Sequence, residues 1–330
     1  MSGECRHHPL APSSKEEGEC VAPGGSPLLF RGGGLGVVAA LAVLSACTAT
    51  QALPPEQSAA GVTPAQWAAQ CADDSGWDEP GPPFQVHGNT WYVGTCGIAA
   101  ILVTSDEGHV LIDGGTGKGA APIAANIEAL GFALTDVKLL LHSHEHFDHV
   151  GGLAELQRRT GARLLASQAA APVLASGQSA DDDPQKGALD PFAPIRVDGT
   201  VKDGEVVRVG DLALTAIATP GHTTGALSWQ WRSCDEAGQC ETVVYGDSLS
   251  PVSADSYRFS NHPARLAAYR ASLKRFAGLD CTLLLTPHPS ASGMRDRILG
   301  GDLTNSAACA NYAAAIGKRL DQRLAKETNG

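Results

Sequence analysis

The run His144-Glu145-His146-Phe147-Asp148-His149 sets three imidazoles and the Asp148 carboxylate in the spacing H-x-H-x-D-H. The preceding residues, Val137-Lys138-Leu139-Leu140-Leu141, read as a buried strand, and Val150-Gly151-Gly152 follows. Alternate residues at a strand end face one side, so His144 and His146 can grip one ion together. Asp148 and His149, where the chain turns, can reach a second ion beside it. Nitrogen and carboxylate donors with no thiolate nearby suit zinc, or another transition metal. Four of the eleven histidines fall between positions 142 and 149, which argues against a chance, solvated histidine-rich loop. His142 is out of register with Asp148 and is expected to be structural or to sit behind the ligands.

A pair of ions needs more donors than these. His222 lies in the turn Ala218-Thr219-Pro220-Gly221-His222-Thr223-Thr224-Gly225, after the strand-like Leu212 to Ile217. His288 lies in Thr286-Pro287-His288-Pro289, after the apolar Thr282-Leu283-Leu284-Leu285. All three clusters fall in loops at strand ends, where a rigid sheet can hold an active site. A lone loop histidine is usually a bystander, but the shared context makes both of these candidates. His87, His109 and His262 lack that context and are expected at the surface or in packing.

These motifs together resemble the metallo-β-lactamase superfamily, and within it the third subclass of class B β-lactamases. The resemblance is carried by Asn89 to Gly94, Leu111-Ile112-Asp113-Gly114-Gly115, His144 to Gly152, Gly221-His222-Thr223, Gly246-Asp247-Ser248-Leu249-Ser250 and Thr286 to Ser290. It runs from about Cys71 to the last helix. It implies two zinc ions per chain, the first on His144, His146 and His222, the second on Asp148, His149 and His288. The implied activity is hydrolysis of the β-lactam amide of penicillins, cephalosporins and carbapenems by a metal-bound hydroxide, which would confer antibiotic resistance. Asp148 would orient the hydroxide as well as bind metal. Two dications less Asp148 and one hydroxide leave a doubly positive site, a local reversal in a chain of net charge −11 that suits an anionic substrate.

Ser248 and Ser250 are expected to grip the substrate carboxylate, as their counterparts in the family do; ordinary strand-end hydroxyls are the duller reading. Trp91 is a candidate pocket wall, with a half-buried strand position the alternative. Asp247 is ambiguous. Many superfamily hydrolases use an aspartate in such a segment to bridge both metals, which keeps open a second function on the same fold, hydrolysis of thioesters, lactones or phosphodiesters.

Gly33 to Ala46 is apolar, follows Arg31, and has the length of a signal-peptide core rather than a membrane span. Leu44-Ser45-Ala46-Cys47 matches a bacterial lipoprotein cleavage box, with Cys47 the lipidated residue and a membrane anchor the result. Ordinary cleavage within Thr48-Ala49-Thr50-Gln51-Ala52, above all after the small Ala52, is the competing outcome. Residues 1–30 are acidic in part and rich in Gly and Pro, expected to reflect an upstream start codon, and are set aside. Of nine cysteines, six follow Cys47. They point to disulfides and the periplasm, and with no C-x-x-C pair they do not suggest zinc ligation. Short separation favours Cys234 with Cys240. The family resemblance implies Cys281 with Cys309 and leaves Cys71 with Cys96.

The acidic balance argues against nucleic acid as a partner, and a monomer acting on small molecules is expected. Residues 1–47 read as extension and export signal, 48–70 as linker, and 71–330 as one domain with a hydrophobic fraction of 43% for the whole chain. Strands are expected at 90–93, 99–104, 109–112, 206–218, 226–232, 241–246 and 282–286. Helices are expected at 118–130, 151–160, 263–277 and 311–327. Two mixed β-sheets packed face to face with helices outside, an αββα sandwich of the α/β class, fit this pattern and the resemblance. The Ala-, Ser- and Asp-rich stretch 169–192, with Asp181-Asp182-Asp183-Pro184, is expected to be a mobile loop beside the site or a solvated linker.

Overall fold

A computed structural model describes residues 61–301 and 303–329; the export segment, Cys47 and Ala52 lie outside them. One sheet runs in chain order through β1 (Phe84–His87), β2 (Thr90–Tyr92), β3 (Ile101–Val103), β4 (His109–Ile112), β5 (Val137–Leu141), β6 (Arg163–Ser167) and β7 (Gly199–Val201). It is antiparallel as far as β4 and parallel from there on. The second sheet comprises β8 (Val206–Val209), β9 (Leu212–Ala218), β10 (Leu227–Cys234), β11 (Cys240–Tyr245) and β12 (Leu283–Leu285), in the order β12-β11-β10-β9-β8. Only its β11–β12 pair is parallel.

The alternation of side chains explains the layering. In β3, β4 and β5, Ile101, Val103, Val110, Ile112, Leu139 and Leu141 turn toward the second sheet, where they meet Leu214, Trp229, Val243, Tyr245 and Leu285. Leu102, Leu111 and Leu140 turn outward, beneath the helices α2 (Ala120–Ala129), α4 (Leu153–Thr160) and α5 (Ala170–Ser176), with the single-turn α3 (Phe147–Val150) leading into α4. The outer face of the second sheet, with Val244 and Leu284, is covered by α6 (Pro263–Ala277) and α8 (Ala308–Asn329). Strands buried on both faces need continuous apolar runs, which is what Val137 to Leu141 supplies apart from Lys138. The result is the expected αββα sandwich of two mixed sheets.

Several elements differ from expectation. Residues 206–218 form two strands, because Gly210 takes a positive φ of 53° and turns the chain back. Part of the stretch expected as linker is folded: α1 (Pro64–Gln70) begins at a reciprocal cap between Thr63 and Gln66 and buries Trp67 against Phe84 and Tyr92. Short strands at β1, β6 and β7 and the helices α1, α5 and α7 (Met294–Gly300) had no strong periodicity and escaped the sequence reading. The stretch 169–192 is not a mobile loop throughout, since α5 occupies its start and Asp183 is buried.

Three disulfides tie loops to this frame. Cys71–Cys96 joins the end of α1 to the loop before β3, Cys234–Cys240 closes the β10–β11 hairpin, and Cys281–Cys309 joins the approach to β12 to α8. Among the described residues, no helix is long and apolar enough to cross a membrane.

Candidate metal centre

The loops leaving β4, β5, β9, β11 and β12 meet at one end of the sandwich, and each brings polar residues into a buried cluster. His144, His146 and His222 each offer a ligand nitrogen within 4.8 Å of the others, and their ring centres stand 4.6–4.8 Å apart. Asp148, His149 and His288 form a tighter set. Asp148 Oδ2 lies 3.0 Å from His149 Nε2 and 3.3 Å from His288 Nε2, and the two nitrogens are 3.2 Å apart. Donors around a tetrahedral zinc with bonds of about 2.0–2.1 Å stand about 3.3 Å from each other, so these edges fit one ion. His149 packs 4.2 Å from His144, ring centre to ring centre, so the two sets share a wall.

The nitrogens pointing away from the centre are held, which fixes the ones pointing in. His222 Nδ1 donates to the Ser250 carbonyl at 2.8 Å, leaving Nε2 with its lone pair for the centre. His146 Nε2 donates to Asp183 Oδ2 at 2.9 Å, leaving the lone pair on Nδ1, which the Gln185 amide approaches at 3.4 Å. His144 Nδ1 faces Asp247 Oδ1 at 2.9 Å, and its Nε2 is buried without a hydrogen-bond partner. His149 Nδ1 faces Asp113 Oδ2 at 3.7 Å. A carboxylate or carbonyl behind an imidazole is the usual support of a metal ligand, and a buried orphan nitrogen aimed at the cluster is what a metal would satisfy. The donor set therefore fits one or more divalent cations.

Electrostatics agree. Burial, reinforced by the neighbouring imidazoles, holds His144 well below the usual histidine range, and burial first of all brings His222 down to about 3. His288 is lowered chiefly by burial too. At physiological pH these rings are neutral, each with a lone pair on one nitrogen that could bind a cation. Burial works against ionisation of Asp148, but His149 and His288 outweigh it and keep the carboxyl well below its ordinary value. Burial would lower His149 as well, yet the charge of Asp148 leaves it raised.

Asp247 does not stand between the two sets. It sits behind His144, its Oδ2 accepts the Leu249 N–H at 3.0 Å, and burial pushes it up to about 7. Leu249, at a φ of 48°, and Asp113, at 65°, are the non-glycine residues with positive φ among the described residues. Such strain persists only where contacts over-determine the backbone. Asp113 qualifies: it accepts the Ser143 N–H at 2.6 Å, the Ser143 hydroxyl at 2.7 Å and the Tyr245 hydroxyl at 2.8 Å.

The remaining expectations divide. Ser248 and Ser250 both reach the site's edge; the Ser250 carbonyl holds His222, and Ser248 is buried with its carbonyl bonded by Tyr312. Among the described residues neither serine hydroxyl has a protein partner. Trp91 does not line the site. It alternates with the inward Tyr92, so it turns to the outer layer, packs 5.5 Å from Phe132 and donates to Thr104 Oγ1. The aromatic beside the site is Trp77, 41% exposed, with ring centres 5.8 Å from Phe147 and 5.9 Å from His288. Nothing in the local sequence marks it, since it stands in irregular chain. His142 is structural: it is lowered to about 4 by burial, and its Nε2 accepts the Ser167 N–H at 3.2 Å. His109 packs on Phe132, His262 stacks on Tyr257, and His87 meets the Gln239 carbonyl.

Asp113, Glu145, Asp183 and Asp247 are also buried around these residues. Burial raises Asp113 and Glu145 and pushes Asp247 up to about 7, which favours their neutral forms, whereas at Asp183 burial is outweighed by His146, which holds it below its ordinary value.

Comparison with known proteins follows the same lines. The family model described as the metallo-beta-lactamase superfamily matches residues 93–288, and the chain belongs to that superfamily. The solved structure of MIM-2 Metallo-Beta-Lactamase is 58% identical, with 81% of this chain and 99% of that one covered and a TM-score of 0.77. MEM-A1, a subclass B3 metallo-beta-lactamase isolated from a soil metagenome library, is 45% identical over 77% of this chain and 99% of its own, at a TM-score of 0.73. A hydroxyacylglutathione hydrolase of Bradyrhizobium sp. (strain ORS 278) is 34% identical over 135 residues, 38% of this chain. The chain spans only 44% of that relative's length.

Removing the metal should expose what it neutralises. Stripping the purified protein with a chelator is expected to lower Tm by on the order of 10 °C, and zinc should restore it. An identical melting curve before and after would contradict a metal held by this cluster.

Proposed function

We propose that this chain is a zinc-dependent β-lactamase of subclass B3 that opens the lactam amide of penicillins, cephalosporins and carbapenems. The observation that carries the reading is a convergence at one end of the sandwich: His144, His146 and His222 lie close enough for one ion, His144, Asp148 and His149 lie as close beside them, and His288 stands against Asp148 and His149, with Asp113, Asp183, Asp247 and the Ser250 carbonyl behind. His144, His146 and His222 would hold one zinc ion; Asp148, His149 and His288 would hold a second. Bound zinc supplies a water of near-neutral pKa and a Lewis acid for the lactam carbonyl. Everything else falls to the protein.

Asp148 touches both His149 and His288 through one oxygen, and its carboxylate can also orient the attacking water. No serine nucleophile and no acyl-enzyme are required. The partnerless hydroxyls of Ser248 and Ser250 bind the substrate carboxylate beside His222. Trp77 and Phe147 offer an apolar wall to the substituents of the lactam. The rival reading, hydrolysis of thioesters, lactones or phosphodiesters, draws on the partial similarity to the hydroxyacylglutathione hydrolase. It is disfavoured because Asp247 lies behind His144 rather than between the sets.

We further propose export to the periplasm as a monomer, anchored by lipid at Cys47 or released by cleavage after Ala52. Three disulfides suit an oxidising compartment. Mass spectrometry of the mature N-terminus should find a diacylated cysteine at position 47 or an unmodified start at Leu53. A start anywhere else overturns both processing routes.

A chromogenic cephalosporin provides the main test. Turnover should vanish with chelator and return with zinc, and Asp148→Asn should cut kcat by at least about 100-fold in a protein that still folds. Turnover indifferent to chelation, or untouched by Asp148→Asn, argues against the mechanism. Replacing Ser248 and Ser250 together by alanine should raise KM by about tenfold or more, the loss of one to two hydrogen bonds to a charge, with zinc content unchanged. A KM that does not move removes the serines from substrate binding.

A further inference from the structure

Glu145, the residue between the first two histidines, plays no part in the ligand sets, yet it is 4% exposed and fully bonded. Its carboxylate bonds to Thr223 and Gly225, so Glu145 turns away from the centre that His144 and His146 face. It reaches the turn that carries His222. Its Oε2 accepts the Thr223 hydroxyl at 2.8 Å and its Oε1 accepts the Gly225 N–H at 3.0 Å. These contacts span 78 and 80 residues of chain.

The same turn is fastened on other sides. The Gly225 carbonyl accepts the Ser167 hydroxyl at 2.8 Å, and Gly221 N–H donates to the Thr223 carbonyl at 2.9 Å. Gly225 has no room for a side chain, because a Cβ there would stand 2.7 Å from Glu145 Oε1 and from Ala170. Thr224 is held by the carboxylate of Asp182, which Arg265 grips in turn. With residues 221, 223, 224 and 225 fixed and Nδ1 bound to the Ser250 carbonyl, the His222 ring has one direction left for Nε2. That direction is toward His144 and His146.

We propose that Glu145 is a positioning residue that locks the His222 turn onto the His144–His146 segment and so assembles the three-histidine set before metal arrives. It acts through Thr223 and Gly225 and touches neither metal nor substrate. The inference rests on the ligand assignment above. It adds that the affinity of one site depends on a carboxylate that ligates nothing. The set on Asp148, His149 and His288 has no bond to Glu145 and should be indifferent to it.

Titration of metal-free protein with zinc against a chromophoric chelator reads this directly. In a His288→Ala background, the remaining tight equivalent reports the three-histidine set; in a His146→Ala background it reports the other. Glu145→Gln keeps size but turns an amide NH2 toward one of its two donors. It should weaken the three-histidine equivalent by about 10–100-fold and leave the other within about twofold. Thr223→Val should weaken the same equivalent, Thr223→Ser should retain it, and Glu145→Gln with Thr223→Val should lose little more than either alone. If Glu145→Gln does not fold, the threonine pair decides.

A purely structural Glu145 would lower stability and leave both affinities alone, or lower both alike. Either result overturns the proposal, as does a Thr223→Ser variant as weak as Thr223→Val. The measurement contains no β-lactam. A wild-type protein that binds both ions but opens no cephalosporin overturns the hydrolase reading and leaves this one standing.

Discussion

Five imidazoles and five carboxylates share one buried end of this sandwich, and that concentration of donors is the constraint on which the rest depends. Buried carboxylates are costly unless paired, and facing imidazole nitrogens repel through their lone pairs unless something positive stands between them. His149 Nε2 and His288 Nε2 face each other at 3.2 Å with Asp148 beside them. Without a cation one of these nitrogens must carry the proton between them; a divalent cation there would take both lone pairs and give the carboxylates a counter-charge. Structural need and chemical use coincide here.

The sandwich makes this arrangement affordable by placing strand ends, not strands, at the site. Loops after β4, β5, β9, β11 and β12 come from both sheets, so the two ligand sets are assembled across the inter-sheet core and not on one element. Each loop carries its own fixative. Asp113 bonds Ser143 and Tyr245, joining the end of β4 to the loop after β5 and to β11. Asp247 bonds Leu249 and faces His144. Glu145 bonds the His222 turn. Backbone strain at Asp113 and Leu249 falls within this network, where several bonds hold each residue in place.

How much of this could be read from the chain alone follows from distance along it. The residues that converge were legible because H-x-H-x-D-H is a local pattern, and His222 and His288 share the strand-then-turn setting. The layers were legible too, since runs such as Val137 to Leu141 announce strands buried on both faces. What supports the ligands was not legible. Asp183 stands 37 residues from His146 in a stretch whose Ala, Ser and Asp content suggested mobility, and only the fold brings them to 2.9 Å. Trp91 illustrates the same limit at close range. Its type suited a pocket wall, but the parity of β2 sends Tyr92 inward and Trp91 out, and parity depends on which face the sheet buries. Trp77, in irregular chain, carried no signal at all.

The ambiguity of Asp247 was likewise one of direction. The family resemblance of its segment implied a place near the metals, but not on which side of His144. Its position behind that ring separates a site of two side-by-side ligand sets from one bridged by a shared aspartate.

The central claim is that six side chains cage two neighbouring cations, and X-ray diffraction from zinc-loaded crystals, recorded at the zinc absorption edge, tests it most directly. The account predicts two anomalous peaks about 3.5–4 Å apart, one bonded by His144, His146 and His222 and the other by Asp148, His149 and His288. A single peak at saturating zinc, or ions bonded by other residues while these imidazoles stand apart, would contradict it.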